Sequence, residues 1–89
     1  MKAIVTVIGK DQVGIIAHVC GALSECGVNV LDISQTVLQD YFTMMMLVDT
    51  AACSLSFEQL AELLKTSGEE RGLVIRIQRE DIFNAMHRI

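Results

Sequence analysis

Residues that commonly hold metal ions are scarce in this sequence. Its 89 residues include three cysteines and two histidines, with neither a CxxC pair nor a zinc-like spacing among them. The clustered cysteines that an iron–sulfur ferredoxin needs are missing too. Cys20 and Cys26 would lie about 9 Å apart along one helix, which is too far for a disulfide. We therefore expect no metal site, no cofactor, and cysteines kept reduced as in a cytoplasmic protein.

The sequence also lacks an excess of positive charge. Seven Lys and Arg residues stand against eleven Asp and Glu residues, which gives a formal net charge of −4, whereas a nucleic-acid backbone attracts clustered Lys and Arg. No apolar run reaches the length of a transmembrane helix, and no basic amphipathic helix or secretory signal peptide is recognisable. We expect a cytoplasmic protein that binds neither nucleic acid nor a membrane.

Apolar residues, by contrast, are abundant. They make up 52% of the chain, and the mean hydropathy is +0.45. A chain of this length is expected to form one domain, spanning residues 1–89, with a modest core. The apolar surplus therefore indicates a surface that associates with another chain.

Hydrophobic periodicity predicts the secondary structure. Nearly continuous β-branched residues indicate a first strand buried on both faces, and apolar residues at helical spacing indicate two amphipathic helices. Ser56 followed by Gln59 is typical of a capping box, and Gln39–Asp40 is predicted to form a tight hairpin turn. The predicted elements are strand 2–8, helix 13–26, strands 28–38 and 41–50, a helix starting after Ser56, strand 73–78, and a short C-terminal helix within 79–89.

The order of these elements predicts an α+β fold. Two β-α-β halves with right-handed crossovers give a ferredoxin-like βαββαβ sandwich, in which two helices cover one face of a four-stranded antiparallel sheet. The second face is also predicted to be apolar, so it needs the tail helix, a partner subunit or both. Since a stable interface buries roughly 800 Å² per partner, we expect a homodimer.

The segment GKDQVG, residues 9–14, joins the first strand to the first helix and has two interpretations. Free N–H groups in the first helical turn attract a carboxylate, Lys10 adds positive charge, and Asp11 can accept hydrogen bonds from an ammonium group. Together they could bind a zwitterion. Alternatively, Asp11 only caps the helix and the glycines only turn the chain; the residues by themselves favour this second interpretation.

Polar residues of the second strand are open to similar alternatives. The amide of Asn29 offers a donor and an acceptor to a ligand, or bonds to nearby backbone where the turn ends. Asp32, Ser34 and Thr36 are predicted to lie on the other side of that strand, as a solvated face.

Catalytic chemistry has little support in the sequence. Three consecutive methionines at 44–46 suggest Cu(I) binding, but neighbouring strand residues point to opposite faces, which favours core packing. The serines lack a nucleophile-elbow context, and His18 is predicted to be exposed. The first loop also lacks the arginine that an acylphosphatase-like enzyme of this fold would use. We therefore expect no catalytic residues and no enzyme activity.

Longer stretches resemble a known family. The pattern D-x-V-G-I-I-A, followed by L-x-x-C-G-V-N-V-L-D-I-S-Q, resembles ACT domains, which are ferredoxin-like regulatory modules that commonly bind amino acids. The tail REDIFNAMHRI and the strand FTMMMLVD resemble, more narrowly, the small stand-alone ACT proteins of the UPF0237 family. The sequence is also similar to the amino-terminal half of glycine-cleavage regulators.

This resemblance implies a ligand site between two subunits. Its loop positions are Asp11, Gln12, Val13 and Gly14 of one subunit, and its strand position is Asn29 of the neighbouring subunit. The chain departs from many ACT domains in having Val13 where they carry a proline, which leaves the loop less rigid.

The resemblance also implies a function, with one alternative. The expected function is a non-catalytic sensor that binds a small amino-acid-like ligand at a homodimer interface. Because no attached enzyme or DNA-binding domain is recognisable, the regulated target is expected to be another, unidentified protein. The alternative is a ligand-free interaction module that docks a partner through its apolar sheet face.

Overall fold

The computed structural model describes residues 1–10 and 13–81. The predicted element order βαββαβ is confirmed, with bounds that shift by one or two residues at most ends. The predicted C-terminal helix falls mainly on residues 82–89, which lie outside the described residues. The elements are β1 (Lys2–Lys10), α1 (Ile15–Glu25), β2 (Asn29–Leu38), β3 (Tyr41–Asp49), α2 (Phe57–Glu69) and β4 (Val74–Arg79).

The four strands form one antiparallel sheet in the order β2-β3-β1-β4. The two longest ladders run the full length of β3, so that Lys2 lies opposite Asp49 and Lys10 lies opposite Tyr41. The predicted hairpin between β2 and β3 is confirmed: Leu38 pairs with Tyr41, and Gln39 adopts a left-handed conformation with φ 56°. Strands β2 and β4 are therefore the two edges of the sheet.

The hydrophobic core lies between the sheet and the two helices. Alternate residues of β1 and β3 face the helices, and the apolar stripes of α1 and α2 pack onto them. Met44 and Met46 are fully buried in this layer, whereas Met45, on the opposite face, is 37% exposed. The three methionines therefore cannot converge on one ion, and their prediction as packing residues is confirmed for Met44 and Met46. The fully enclosed core residues are Ala3, Val5, Val7, Val19, Leu23, Met44, Met46, Val48 and Leu64.

The other face of the sheet, here called the open face, is only partly covered. β1 was predicted to be buried on both sides, and the described residues do not bury it so: Ile4 and Thr6 are half-buried and Ile8 is 45% exposed. The reason is that both helices of the described chain pack on the same side of the sheet. The larger apolar side chains exposed on the open face are Ile8, Leu38, Tyr41, Met45 and Val74.

A bulge in β2 changes which of its residues share a face. Val30 pairs with Val48 and Asp32 pairs with Leu47, so Leu31 is an extra residue in the ladder. An extra residue reverses the alternation beyond it. Asn29 therefore shares the open face with Asp32 and the alternate residues that follow, and the prediction that they lie on opposite sides is wrong.

Candidate functional site

The loop between β1 and α1 is shorter than the sequence indicated. β1 continues through Gly9 and Lys10, which pair with Phe42 and Tyr41, so the connection begins only after Lys10. Two of the predicted site residues, Asp11 and Gln12, lie outside the described residues. Val13 is 96% exposed and directly precedes Gly14.

Gly14 forms the start of α1. It is the N-cap residue, with φ 84° and ψ 11°, a left-handed conformation that glycine adopts without steric cost. The first intrahelical bond runs from the His18 N–H to the Gly14 carbonyl at 2.9 Å. The preceding three helical N–H groups have no partner inside the helix, and among the described residues no side chain caps them. The N-cap residue is thus Gly14, and the helix end favours an anion. The alternative prediction, that the Asp11 side chain caps the helix, falls outside the described residues.

Arg71 contacts this loop, and the sequence patterns did not point to it. Its Nη1 donates to the Val13 carbonyl at 3.2 Å across 58 residues of sequence. A Cβ at Gly14 would lie 3.5 Å from the same nitrogen. A guanidinium therefore lies beside the open N-terminus of α1, and it adds to the positive potential there. No local pattern predicts such a contact, because it depends on where the C-terminal end of α2 comes to lie.

His18 links the two helices. Its Nε2 lies 3.1 Å from the carbonyl oxygen and 2.9 Å from the Oγ of Ser67 in α2. The residue is half-buried, so the expectation that it is exposed is wrong. It lies off the apolar stripe of α1 because it faces a polar partner on α2. The contacts of His18 and Arg71 therefore join the start of α1 to the C-terminal end of α2 and the turn that follows it.

Asn29 lies at the opposite end of the sheet from the loop. It pairs with Asp49 at one end of β3, while Lys10, just before the loop, pairs with Tyr41 at the other end. Tyr41 and Asp49 are eight residue steps apart along β3 (49 − 41 = 8), which corresponds to roughly 27 Å at about 3.4 Å per residue. One chain therefore does not bring the described end of the loop, Val13 and Gly14, close to Asn29.

The end of the sheet near Asn29 carries a fixed carboxylate. Asp49 Oδ1 accepts a hydrogen bond from the Ala51 N–H at 2.9 Å and lies 3.5 Å from the Met1 ammonium nitrogen. The backbone hydrogen bond from Ala51 lowers the pKa of Asp49 below its ordinary value, and the ammonium group lowers it further. The Asn29 end of the sheet therefore holds a carboxylate that lies beside the amino-terminal ammonium group.

The described part of the chain holds no other convincing centre of chemistry. None of its His, Cys, Asp and Glu residues cluster in a way that could hold a metal ion. Neither α1 nor α2 is long and apolar enough to cross a membrane. A groove of about 620 Å³ lies between α2 and β4, and its lining includes Leu73, Ile77, Glu58 and Glu62. Val13, Gly14 and Asn29 do not line it.

Similarity to known proteins extends over almost the whole chain. The family model for the ACT domain matches residues 2–78. A UPF0237 protein of Clostridium acetobutylicum is 53% identical over 89 residues, with 100% of both chains covered. An ACT domain protein from Streptococcus pneumoniae has a similar structure, with a TM-score of 0.84, 46% identity and 98% of each chain covered.

A second solved structure shares the fold at lower identity. It is a protein described as a glycine cleavage system transcriptional repressor, with a TM-score of 0.73 and 20% identity. The similarity covers 86% of this chain and 44% of that protein. The resemblances seen in the sequence thus extend to both the UPF0237 proteins and a glycine-cleavage regulator.

Proposed function

Because this chain belongs to the ACT domain family, whose members are typically regulatory ligand-binding domains, we propose that it is a non-catalytic sensor of a small amino-acid-like ligand. In this proposal the chain acts in the cytoplasm as a single domain over residues 1–89. Two copies form a homodimer, and the ligand binds between them. The site comprises Asp11, Gln12, Val13 and Gly14 of one copy and Asn29 of the other.

The observation that carries the proposal is the separation of the two halves of the site. The loop and Asn29 lie at opposite ends of one sheet, so a ligand that contacts both needs two chains. If the β2 edges of two copies pair antiparallel about a two-fold axis, Asn29 of one copy lies near Leu38 of the other. Leu38 pairs with Tyr41, which also pairs with Lys10, and so it lies at the loop end. This arrangement generates two equivalent sites.

The surface along β2 has the properties such a pairing requires. β2 is an edge strand of the sheet, and the outward N–H and C=O groups of an edge strand can pair with another chain. All its residues from 31 to 38 are exposed. On its helix side, Ile33 is 40% and Val37 is 52% exposed, and Ile16 of α1 is 40% exposed. These apolar side chains would lose water contact in the dimer.

The chemistry of the two ends suits a zwitterion. A ligand carboxylate would accept hydrogen bonds from the first N–H groups of α1, with the Arg71 guanidinium adding favourable charge nearby. The ligand ammonium would donate to Asp11, and the amide of Asn29 from the second copy would add a directional hydrogen bond. No group in this scheme forms or breaks a covalent bond.

A thermal-shift screen against the twenty amino acids and close metabolites tests the proposal. A ligand at about 100 times its Kd adds roughly 2.7 kcal/mol of stability, which is several degrees in Tm for a domain of this size. Asp11→Ala and Asn29→Ala should each remove a selective shift, whereas Glu62→Ala, which removes an exposed acid from α2, should keep it. Absence of any shift, with the dimer intact in sedimentation, would contradict ligand binding.

The exposed open face favours a second candidate function. Met45 is 37% and Val74 is 51% exposed there, and contiguous apolar surface commonly marks a protein interface. In this alternative the chain is a ligand-free module that docks an unidentified partner protein through the open face. The two functions are distinguished by Met45→Lys, which should leave a ligand-induced shift unchanged and should abolish docking to a partner.

A further inference from the structure

Two cysteines lie at adjoining connections of the fold, away from the proposed ligand loop. Cys26 is the C-cap residue of α1, and Cys53 lies in the connection between β3 and α2. Both are half-buried free thiols, and both pack against the rim of the core. They are 27 residues apart in the sequence (53 − 26 = 27), so no local pattern relates them.

The backbones that carry these cysteines are in contact. A Cβ at Gly27 would lie 2.7 Å from the Ala52 carbonyl oxygen and 3.7 Å from the Cys53 Cα. Gly27 has φ 78°, so glycine satisfies both the left-handed turn and the close approach. Each cysteine is held in a turn, by hydrogen bonds from Cys26 N–H to the Leu23 carbonyl at 3.1 Å and from Cys53 N–H to the Thr50 carbonyl at 3.0 Å.

The thiols also interact electrostatically. Burial raises the pKa of the Cys26 thiol, and negative charge on Cys53 and then on Glu25 raises it further. Two cysteines on touching turns at the edge of the core have the arrangement of a pair that can be bridged with a small movement of the β3–α2 connection.

We propose that Cys26 and Cys53 are a modification site at which a low-molecular-weight disulfide forms an intramolecular disulfide. The thiolate of one cysteine attacks the disulfide RSSR, forms a mixed disulfide and releases one RS⁻. The thiolate of the other cysteine then attacks the protein sulfur of the mixed disulfide and releases the second RS⁻. The cysteine pair loses two electrons, RSSR gains them, and the two thiol protons pass to the released thiols.

The bridge would enclose the whole β2–β3 hairpin. Residues 26–53 form the ring, and Asn29 lies three residues after its first cysteine. Closing the ring reduces the freedom of the unfolded chain, so the oxidised protein should melt several degrees higher than the reduced one. A disulfide in a cytoplasmic protein of this kind is typically transient and redox-sensing.

The test uses the full chain and glutathione disulfide at about pH 8.5. Cysteine thiols form more of the reactive thiolate at this pH than at neutral pH. Intact mass should fall by the mass of two hydrogen atoms, with no glutathione retained, and peptide mapping without reductant should recover residues 26 and 53 cross-linked. Glutathione retained on both cysteines, a bridge that includes Cys20, or a disulfide between two chains would each overturn the proposal.

Single serine variants provide matched controls. Cys20→Ser removes the third half-buried cysteine and should form the bridge as the parent does. Cys53→Ser should stop at a glutathione adduct on Cys26, and Cys26→Ser should stop at an adduct on Cys53. If either of these two variants loses the mass of two hydrogen atoms, the proposed disulfide between Cys26 and Cys53 is contradicted. The peptide map of the unaltered chain decides the question even if a variant folds poorly.

Discussion

The two faces of the sheet have similar strand sequences and different surroundings. Met44 and Met46 point to the helices and are fully buried, whereas Met45 between them is 37% exposed on the open face. The same contrast holds along β1, where Val5 and Val7 are enclosed and Thr6 is half-buried. Composition does not distinguish the faces, so the difference is set by which side the two helices cover.

The largest predicted effect is the difference in stability between a substitution on the buried face and one on the open face. Met46→Ala should lower the free energy of unfolding by about 2–5 kcal/mol, because it leaves a cavity in the enclosed layer. Met45→Ala, its neighbour on the open face, should cost less than about 1 kcal/mol. Urea denaturation of both variants is the measurement. Equal losses would mean that the open face is as well packed as the core, and a Met45→Ala loss that grows with protein concentration would indicate a subunit there.

Two lysine substitutions, one at the β2 edge and one on the open face, identify the surface through which two copies of the chain associate. Val37→Lys puts a charge on the exposed helix side of β2 and should weaken the homodimer at least tenfold, about 1.4 kcal/mol, because the interface would have to bury an ammonium group that has no partner. Met45→Lys should leave the dimer intact. Sedimentation over a range of concentrations compares them. If Met45→Lys weakens the dimer more than Val37→Lys does, the interface lies on the open face and not at the β2 edge.

The helix layer that covers one face is itself held by polar contacts. His18→Ala removes the link to Ser67 and should cost about 0.5–1.5 kcal/mol, the usual net contribution of a hydrogen bond. His18→Gln can still reach a polar partner and should recover part of the loss. Urea denaturation checks both variants. If His18→Ala unfolds at the same midpoint as the parent, the link does not contribute to helix packing.

The smallest effect concerns Asp49 at the edge of the open face. Its pKa is lowered by the Ala51 backbone N–H and the Met1 ammonium, with a weaker contribution from Lys2. The stabilisation is therefore fully present above the unfolded-state pKa of about 4, and it is lost as pH falls through the lower folded-state value.

Melting curves of the parent and Asp49→Asn at several pH values test this assignment. The difference in Tm should be constant between about pH 5 and pH 7 and should shrink towards zero in stronger acid. Asp40→Asn, the same change of charge in the hairpin turn, is the control. A difference that persists unchanged in strong acid would mean that ionisation of Asp49 is not its source.

Much of the fold could be predicted from local sequence. Ser56 and Gln59 form the expected capping box, because both partners lie within one helical turn. The hairpin at Gln39–Asp40 and the burial of Met44 and Met46 follow from turn length and strand alternation. The candidate site was less predictable: residue types suggested the loop and Asn29, but not that one chain holds them at opposite ends of the sheet.

The sequence by itself determined the elements, their order and the family, because periodicity, caps and motifs depend on neighbours within a few residues. Tertiary structure alone decided three things: the bulge at Leu31, the contact of Arg71 with Val13 and the contact of His18 with Ser67. The two contacts join residues 58 and 49 positions apart. Such partners are fixed by how helices and strands pack, which no local pattern encodes.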